Sequence, residues 1–127
     1  MHKSRLAALV IDSKVNDIEE ANNFWELALG MQCVRSSEDW ASRYSHLKTP
    51  SDQPQILIQK VDHESRVHLD IETDNIPAEV ERLKSIGATV VEEFERWTVM
   101  QAPTGHRFCV VKPQREDFKD SDNVNVW

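Results

Sequence analysis

The sequence predicts an α+β fold in which two tandem βαβββ modules build a curved, mixed, mostly antiparallel sheet. Three observations lead there. Apolar runs of strand length recur in the order strand, helix and three strands, and that order occurs twice along the chain. Each helical pattern runs from an aspartate able to cap it to a glycine able to stop it, Asp17 to Gly30 and Asp74 to Gly87, and both spans cover 13 positions at an offset of 57. Matching lengths and a matching order of elements point to a duplicated unit. At 127 residues, 39% of them hydrophobic, the chain suits one domain with a core of ordinary size.

The first strand is Ser4 to Asp12, a nearly continuous apolar run that suits a strand covered on both faces. Asn16-Asp17 then offers an N-cap with Glu20 placed as in a capping box, and Ile18, Ala21, Trp25, Ala28 and Leu29 recur at helical spacing up to Gly30. Three strands follow, Met31 to Ser36, Ser42 to Lys48 and Gln55 to Val61, the last two separated by the turn chemistry of Thr49 to Pro54. After the polar break Asp62 to Ser65 the order restarts with the strand Arg66 to Glu72. A second helix opens at Asp74-Asn-Ile-Pro77 and buries Ile76, Val80 and Leu83. Gly87 closes it, and strands follow at Thr89 to Glu92, Arg96 to Gln101 and His106 to Lys112. The organisation expected is a single domain over 1–112, with module one at 4–62 and module two at 66–112. An acidic C-terminal tail covers 113–127, in which Phe118, Val124, Val126 and Trp127 are the residues able to dock.

Charge narrows the range of partners. With 15 Lys+Arg against 22 Asp+Glu the net charge is −7, and no basic cluster exceeds two residues, so nothing draws the chain to nucleic acid. The longest apolar run, Leu6 to Ile11, is far too short to cross a bilayer, and no signal-type segment precedes it, so a cytoplasmic protein is expected. Cys33 and Cys109 lie 76 positions apart and outside any zinc-type spacing, which reads as two reduced thiols packed on strands.

Local motifs carry a resemblance. Phe24-Trp25 with Leu29-Gly30-Met31, Val67-His-Leu-Asp-Ile71, Ile86-Gly-Ala88 and Ala102-Pro-Thr-Gly-His-Arg-Phe-Cys-Val110 follow one another with the gaps seen in the vicinal-oxygen-chelate superfamily. That superfamily contains glyoxalases, bleomycin-resistance proteins and extradiol dioxygenases, and the resemblance covers residues 4 to 112. It implies a glyoxalase-like fold whose sheet curls into a trough. In metal-dependent members the ligands come from the first, fourth, fifth and eighth strands, usually His or Gln, Glu, His and Glu. Here His68 matches the fifth-strand histidine, Gln59 stands at the fourth-strand glutamate, Cys109 at the eighth-strand glutamate, and Ala8 or Val10 at the first-strand position. An ion that needs anionic oxygen donors finds too few of them, so no metal and no other cofactor is expected.

Alternation along the fifth strand sends His68, Asp70 and Glu72 to the trough and Val67, Leu69 and Ile71 toward the helix. His68 and Asp70 are the candidate catalytic pair, able to exchange a proton with a ligand. Trp40, Tyr44, Gln59, Trp97 and Cys109 are the candidate substrate-binding residues, the aromatic ones either walling the trough or lying in an interface. The reading is a metal-independent small-molecule-binding protein with its ligand in the trough near His68, either a sequestering module or a lyase-like enzyme. The alternative is a metal-dependent lyase, isomerase or dioxygenase that uses His68 with non-standard ligands. A homodimer is expected because bare sheet edges invite pairing, and the tail docks either on its own chain or on the neighbour.

Overall fold

The computed structural model describes residues 1–35 and 38–127; the side chains of Asp39 and Trp40 are outside that description. Among the described residues there are two α-helices and nine strands in a mixed sheet, an α+β architecture of the glyoxalase-like kind. The chain divides into two compact units, Ala8–Val67 on one side and Met1–Ala7 with His68–Trp127 on the other.

In the unit Ala8–Val67 the strands are the later part of β1 (Lys3–Ser13), β2 (Cys33–Val34), β3 (Tyr44–Leu47) and β4 (Gln55–Lys60). They lie in the order β2-β3-β4-β1. β1 runs parallel to β4, with Val10 opposite Leu57 and Asp12 opposite Gln59, and the other two pairings are antiparallel. Helix α1 (Ile18–Leu29) starts where the Asp17 carboxylate accepts the Glu19 N–H at 3.0 Å and stops at Gly30, whose φ of 66° is left-handed. Its buried residues Ile18 and Ala21 meet Cys33, Leu47 and Ile58, with Trp25, Met31 and Ile56 around them. The expected strand from Met31 reduces to two residues, its end at Ser36 lies outside the described residues, and a 3-10 turn at Asp39–Ser42 precedes β3.

The second unit repeats the plan with β5 (Arg66–Thr73), of which His68 onward belongs to it, helix α2 (Ile76–Ser85), β6 (Thr89–Glu93), β7 (Trp97–Gln101) and β8 (Arg107–Val111). The order is β5-β8-β7-β6, with β5 and β8 parallel and the other pairs antiparallel. Helix α2 has 10 residues against 12 in α1: its cap falls one residue later than its aspartate suggests, since Asn75 accepts the Ala78 N–H while Asp74 accepts the N–H of Lys3 at 2.8 Å, and its C-cap is Ile86, one residue before Gly87. The repeat, counted from cap to cap, is therefore offset by 58, from Asp17 to Asn75. Val80 and Leu83 of α2 pack with Ala88, Met100 and Val110.

The segment after Pro113 is a docked strap. Strand β9 (Asn125–Val126) pairs antiparallel with Lys3 and Ser4, and Phe118, on the 3-10 turn Glu116–Lys119, is buried with the Arg5 guanidinium 5.5 Å from its ring centroid. The Trp127 indole N–H donates to Ser4 Oγ at 2.8 Å, and the Arg82 guanidinium lies 3.7 Å from its centroid. The strap thus settles on its own chain. No helix among the described residues is long and apolar enough to cross a membrane.

Candidate functional site

Strand alternation in the second unit separates two faces. Ile71, Phe108, Val110 and Met100 point to α2 and join its core. His68, Asp70 and Cys109 stand on the opposite, open face, and Asp70 is the cross-strand partner of Cys109. The His68 Nε2 and Asp70 Oδ1 are 3.3 Å apart, with the two side chains 11% and 16% exposed. One donor atom from each of His68, Asp70 and Cys109 falls within 4.8 Å of the others. An imidazole oriented by a carboxylate can take up and return a proton, and a thiol beside it offers a soft, polarisable contact.

The covering of β5 differs from expectation at both ends. Val67 and Leu69, expected under the helix, are 59% and 43% exposed, because the short stripe of α2 reaches only as far as Ile71. Glu72, expected in the trough with His68 and Asp70, is completely buried. Its carboxylate accepts the Arg5 Nε at 2.6 Å and the backbone N–H groups of Gln114 and Arg115 at 2.8 and 3.2 Å. The strap therefore converts one end of this face into a fixed structural wall.

Trp97 shares the open face by its position two residues before Val99, the partner of Cys109, and stacks on Phe94 with centroids 4.6 Å apart. Tyr44 and Gln59 belong to the other unit, where the Gln59 amide donates to the Tyr44 hydroxyl at 3.1 Å. Trp40 falls on the 3-10 turn, with its side chain outside the described residues. Arg107 and Gln101 also lie on the open face of the second unit, and the sequence reading passes over both. The signal for Arg107 was its place two residues before Cys109 on one strand.

The superfamily's four metal-ligand positions fall on identifiable residues here. Five residues before each N-cap stand Asp12 and Asp70, which makes Val10 the counterpart of His68 and Gln59 the counterpart of Cys109. Val10 has no donor atom, Gln59 is a neutral amide and Cys109 replaces a carboxylate. The four-ligand arrangement does not fit. What the sequence reading did not count is Asp70, whose carboxylate joins His68 and Cys109 in a cluster of nitrogen, oxygen and sulfur donors within one unit.

The sequence profile of a family described as a glyoxalase-like domain matches residues 8–111. No curated protein matches the sequence. Among solved structures, the methylmalonyl-CoA epimerase of Mycobacterium tuberculosis is similar over 87% of this chain and 89% of its own, with TM-score 0.64 and 19% identity. The NAD-dependent benzaldehyde dehydrogenase of Legionella pneumophila is similar over 84% of this chain and 99% of that one, with TM-score 0.62 and 9% identity. A Streptomyces coelicolor methylmalonyl-CoA epimerase in complex with 2-nitronate-propionyl-CoA is similar over 87% and 98%, with TM-score 0.60 and 15% identity. At these identities the likeness is one of fold.

Proposed function

The chain belongs to the glyoxalase-like domain family, within the vicinal-oxygen-chelate superfamily, and from that premise we propose a metal-independent protein that binds a small molecule against the open face of its second unit. The observation that carries this reading is the His68–Asp70 pair, 3.3 Å apart and shielded, beside Cys109. Paired titratable groups that face away from the core on one strand, with Cys109 on the next, suit recognition of a ligand's polar group, with proton exchange at His68 if the ligand is turned over. Trp97 and Phe94 supply an aromatic flank. A thermal-shift screen of small molecules tests it: hits on the wild type are expected to be lost in His68→Ala and weakened in Trp97→Ala. Hits unchanged in both folded variants would put the site elsewhere.

A second reading, a metal-dependent lyase, isomerase or dioxygenase with non-standard ligands, is favoured by the convergence of His68, Asp70 and Cys109. Metal analysis of protein taken through gel filtration separates the two. Stoichiometric metal in the wild type, absent from His68→Ala, would replace the first reading with the second. The homodimer is proposed alongside, because β6 is an edge strand exposed along its length, Val90 and Val91 included. Light scattering is expected to give twice 14.7 kDa; a value near 14.7 kDa itself would refute it.

A further inference from the structure

Arg107 stands out among the arginines. Four arginine side chains among the described residues are at least partly buried: Arg5, Arg82, Arg107 and Arg115. Arg5 has Glu72 at 2.6 Å, Arg82 has Glu79 at 2.8 Å, and Arg115 has Glu72 at 3.8 Å. Among the described residues no carboxylate lies within ion-pair distance of Arg107; its Nε donates instead to the neutral Gln101 Oε1 at 3.0 Å. In a chain with 22 acidic residues against 15 basic ones, a half-shielded guanidinium without a counter-charge is a costly exception. Gln101 anchors one edge of the fork and leaves the end that carries Nη1 and Nη2 for a partner from outside.

The register says where that end lies. Arg107 precedes Phe108, whose partner on β5 is Leu69, so Arg107 comes level with His68, and Gln101 is its partner on β7. A polar row therefore crosses three adjacent strands as His68, Arg107 and Gln101, directly beside the row of Asp70 and Cys109. Asp70 does not neutralise Arg107, since it lies beyond ion-pair distance from it and faces His68. We propose that Arg107 is an anion-binding residue of this site and that the ligand is a small organic carboxylate, its two oxygens taken by the guanidinium end while His68 meets the neighbouring part of the molecule. The planar fork matches the two oxygens of a carboxylate, and Gln101 acts as a positioning residue that fixes its direction. This inference rests on the reading of the open face as the ligand site.

Propionate is the probe, with inorganic phosphate and methylammonium as comparison ions, each titrated into the full chain while the Arg107 Nε–H and His68 ring signals are followed by NMR. Propionate is expected to shift both sets of signals to saturation, phosphate to bind more weakly, and methylammonium to have no effect. Arg107→Ala should weaken propionate binding about tenfold or more, with part of the loss recovered in Arg107→Lys. Gln101→Glu is the sharper test, because it supplies an internal carboxylate to the guanidinium. It should weaken propionate far more than Gln101→Ala does, without a change in fold. Propionate binding equal in wild type and Arg107→Ala, phosphate binding tighter than propionate, or Gln101→Glu binding as well as wild type would each overturn the proposal. If screened ligands still depend on His68 in any of those cases, the ligand site stands and only its anion chemistry falls; if they do not depend on His68, the site itself has failed.

Discussion

The two units share a plan and differ in what they place on it. In the unit Ala8–Val67 the matched row holds Val10 opposite Leu57, both aliphatic, and below it Asp12 opposite Gln59. In the second unit the corresponding residues are His68 beside Arg107, and Asp70 opposite Cys109. The aspartate is present in both, but its company is not. Asp12 is 3% exposed, with the His63 and Arg66 side chains at 4.0 and 3.8 Å, whereas the Asp70 side chain is 16% exposed and faces His68. One copy of a repeated ladder has kept a structural acid while the other carries groups able to exchange protons and hold charge. Backbone pairing does not depend on which side chains the open face bears, so the two copies are free to diverge there.

The largest contrast expected is at the position after that aspartate on the same face. Glu72→Ala leaves the Arg5 Nε and two strap N–H groups without their acceptor, while Asp117 still holds the other edge of the Arg5 guanidinium, and should cost about 2–3 kcal/mol. Its counterpart Lys14, exposed and paired with an exposed Glu64, should cost no more than about 0.5 kcal/mol as Lys14→Ala. Urea unfolding of both variants checks this, and equal midpoints would show that the contacts of Glu72 contribute no more than the exposed Lys14 pair.

The helix stops come next. Gly30 and Gly87 both have positive φ, 66° and 108°, so alanine is strained at either. A Cβ at Gly30 meets nothing within 4 Å, whereas one at Gly87 lies 2.8 Å from the Pro103 ring. Gly30→Ala should cost about 1 kcal/mol and Gly87→Ala about 2–3 kcal/mol, because the hairpin carrying Pro103 must shift as well. A Tm series on the two variants reads the difference, and the reverse order would break the contrast.

The matched aspartates should separate stability from function. Asp12→Asn is expected to lower stability by about 1 kcal/mol with little effect on ligand binding. Asp70→Asn should change stability by less than about 0.5 kcal/mol while weakening ligand binding about tenfold. Urea midpoints together with the screen's hits test the pair, and an exchange of the two phenotypes would move the site to the first unit.

The smallest effect is one of pH. Burial pushes the Glu79 carboxyl up, but hydrogen bonds from Arg82 and His2 outweigh it and hold it below the ordinary carboxylate range. A depressed folded value means that its contribution is fully present above about pH 4.5 and is lost as pH falls below that. Glu19 on α1 is depressed chiefly by Arg35, but both of those side chains are exposed and water screens them. Hydrogen exchange between pH 6 and 3.5 should therefore loosen α2 and the strap before α1; simultaneous loosening would show that Glu79 contributes no more than Glu19.

Much of this was legible in the order of residues. The strand and helix positions, the repeat, the glycine stops and the alternation that pairs His68 with Asp70 all follow from local periodicity and backbone preference, which neighbouring residues decide among themselves. The family assignment rests on such local motifs as well. Other features depended on partners far away in the chain. The burial of Glu72 comes from Arg5 and the strap, 67 and about 43 positions away. Asp74 is drawn from capping duty by Lys3. The meeting of Cys109 with His68 and Asp70, and the place of Arg107 level with His68, require the parallel register of two strands that lie nearly forty residues apart. A sequence states which face of its own strand a side chain takes. Only the assembled sheet decides which charges lie within reach of one another, because electrostatic pairing depends on distance in space.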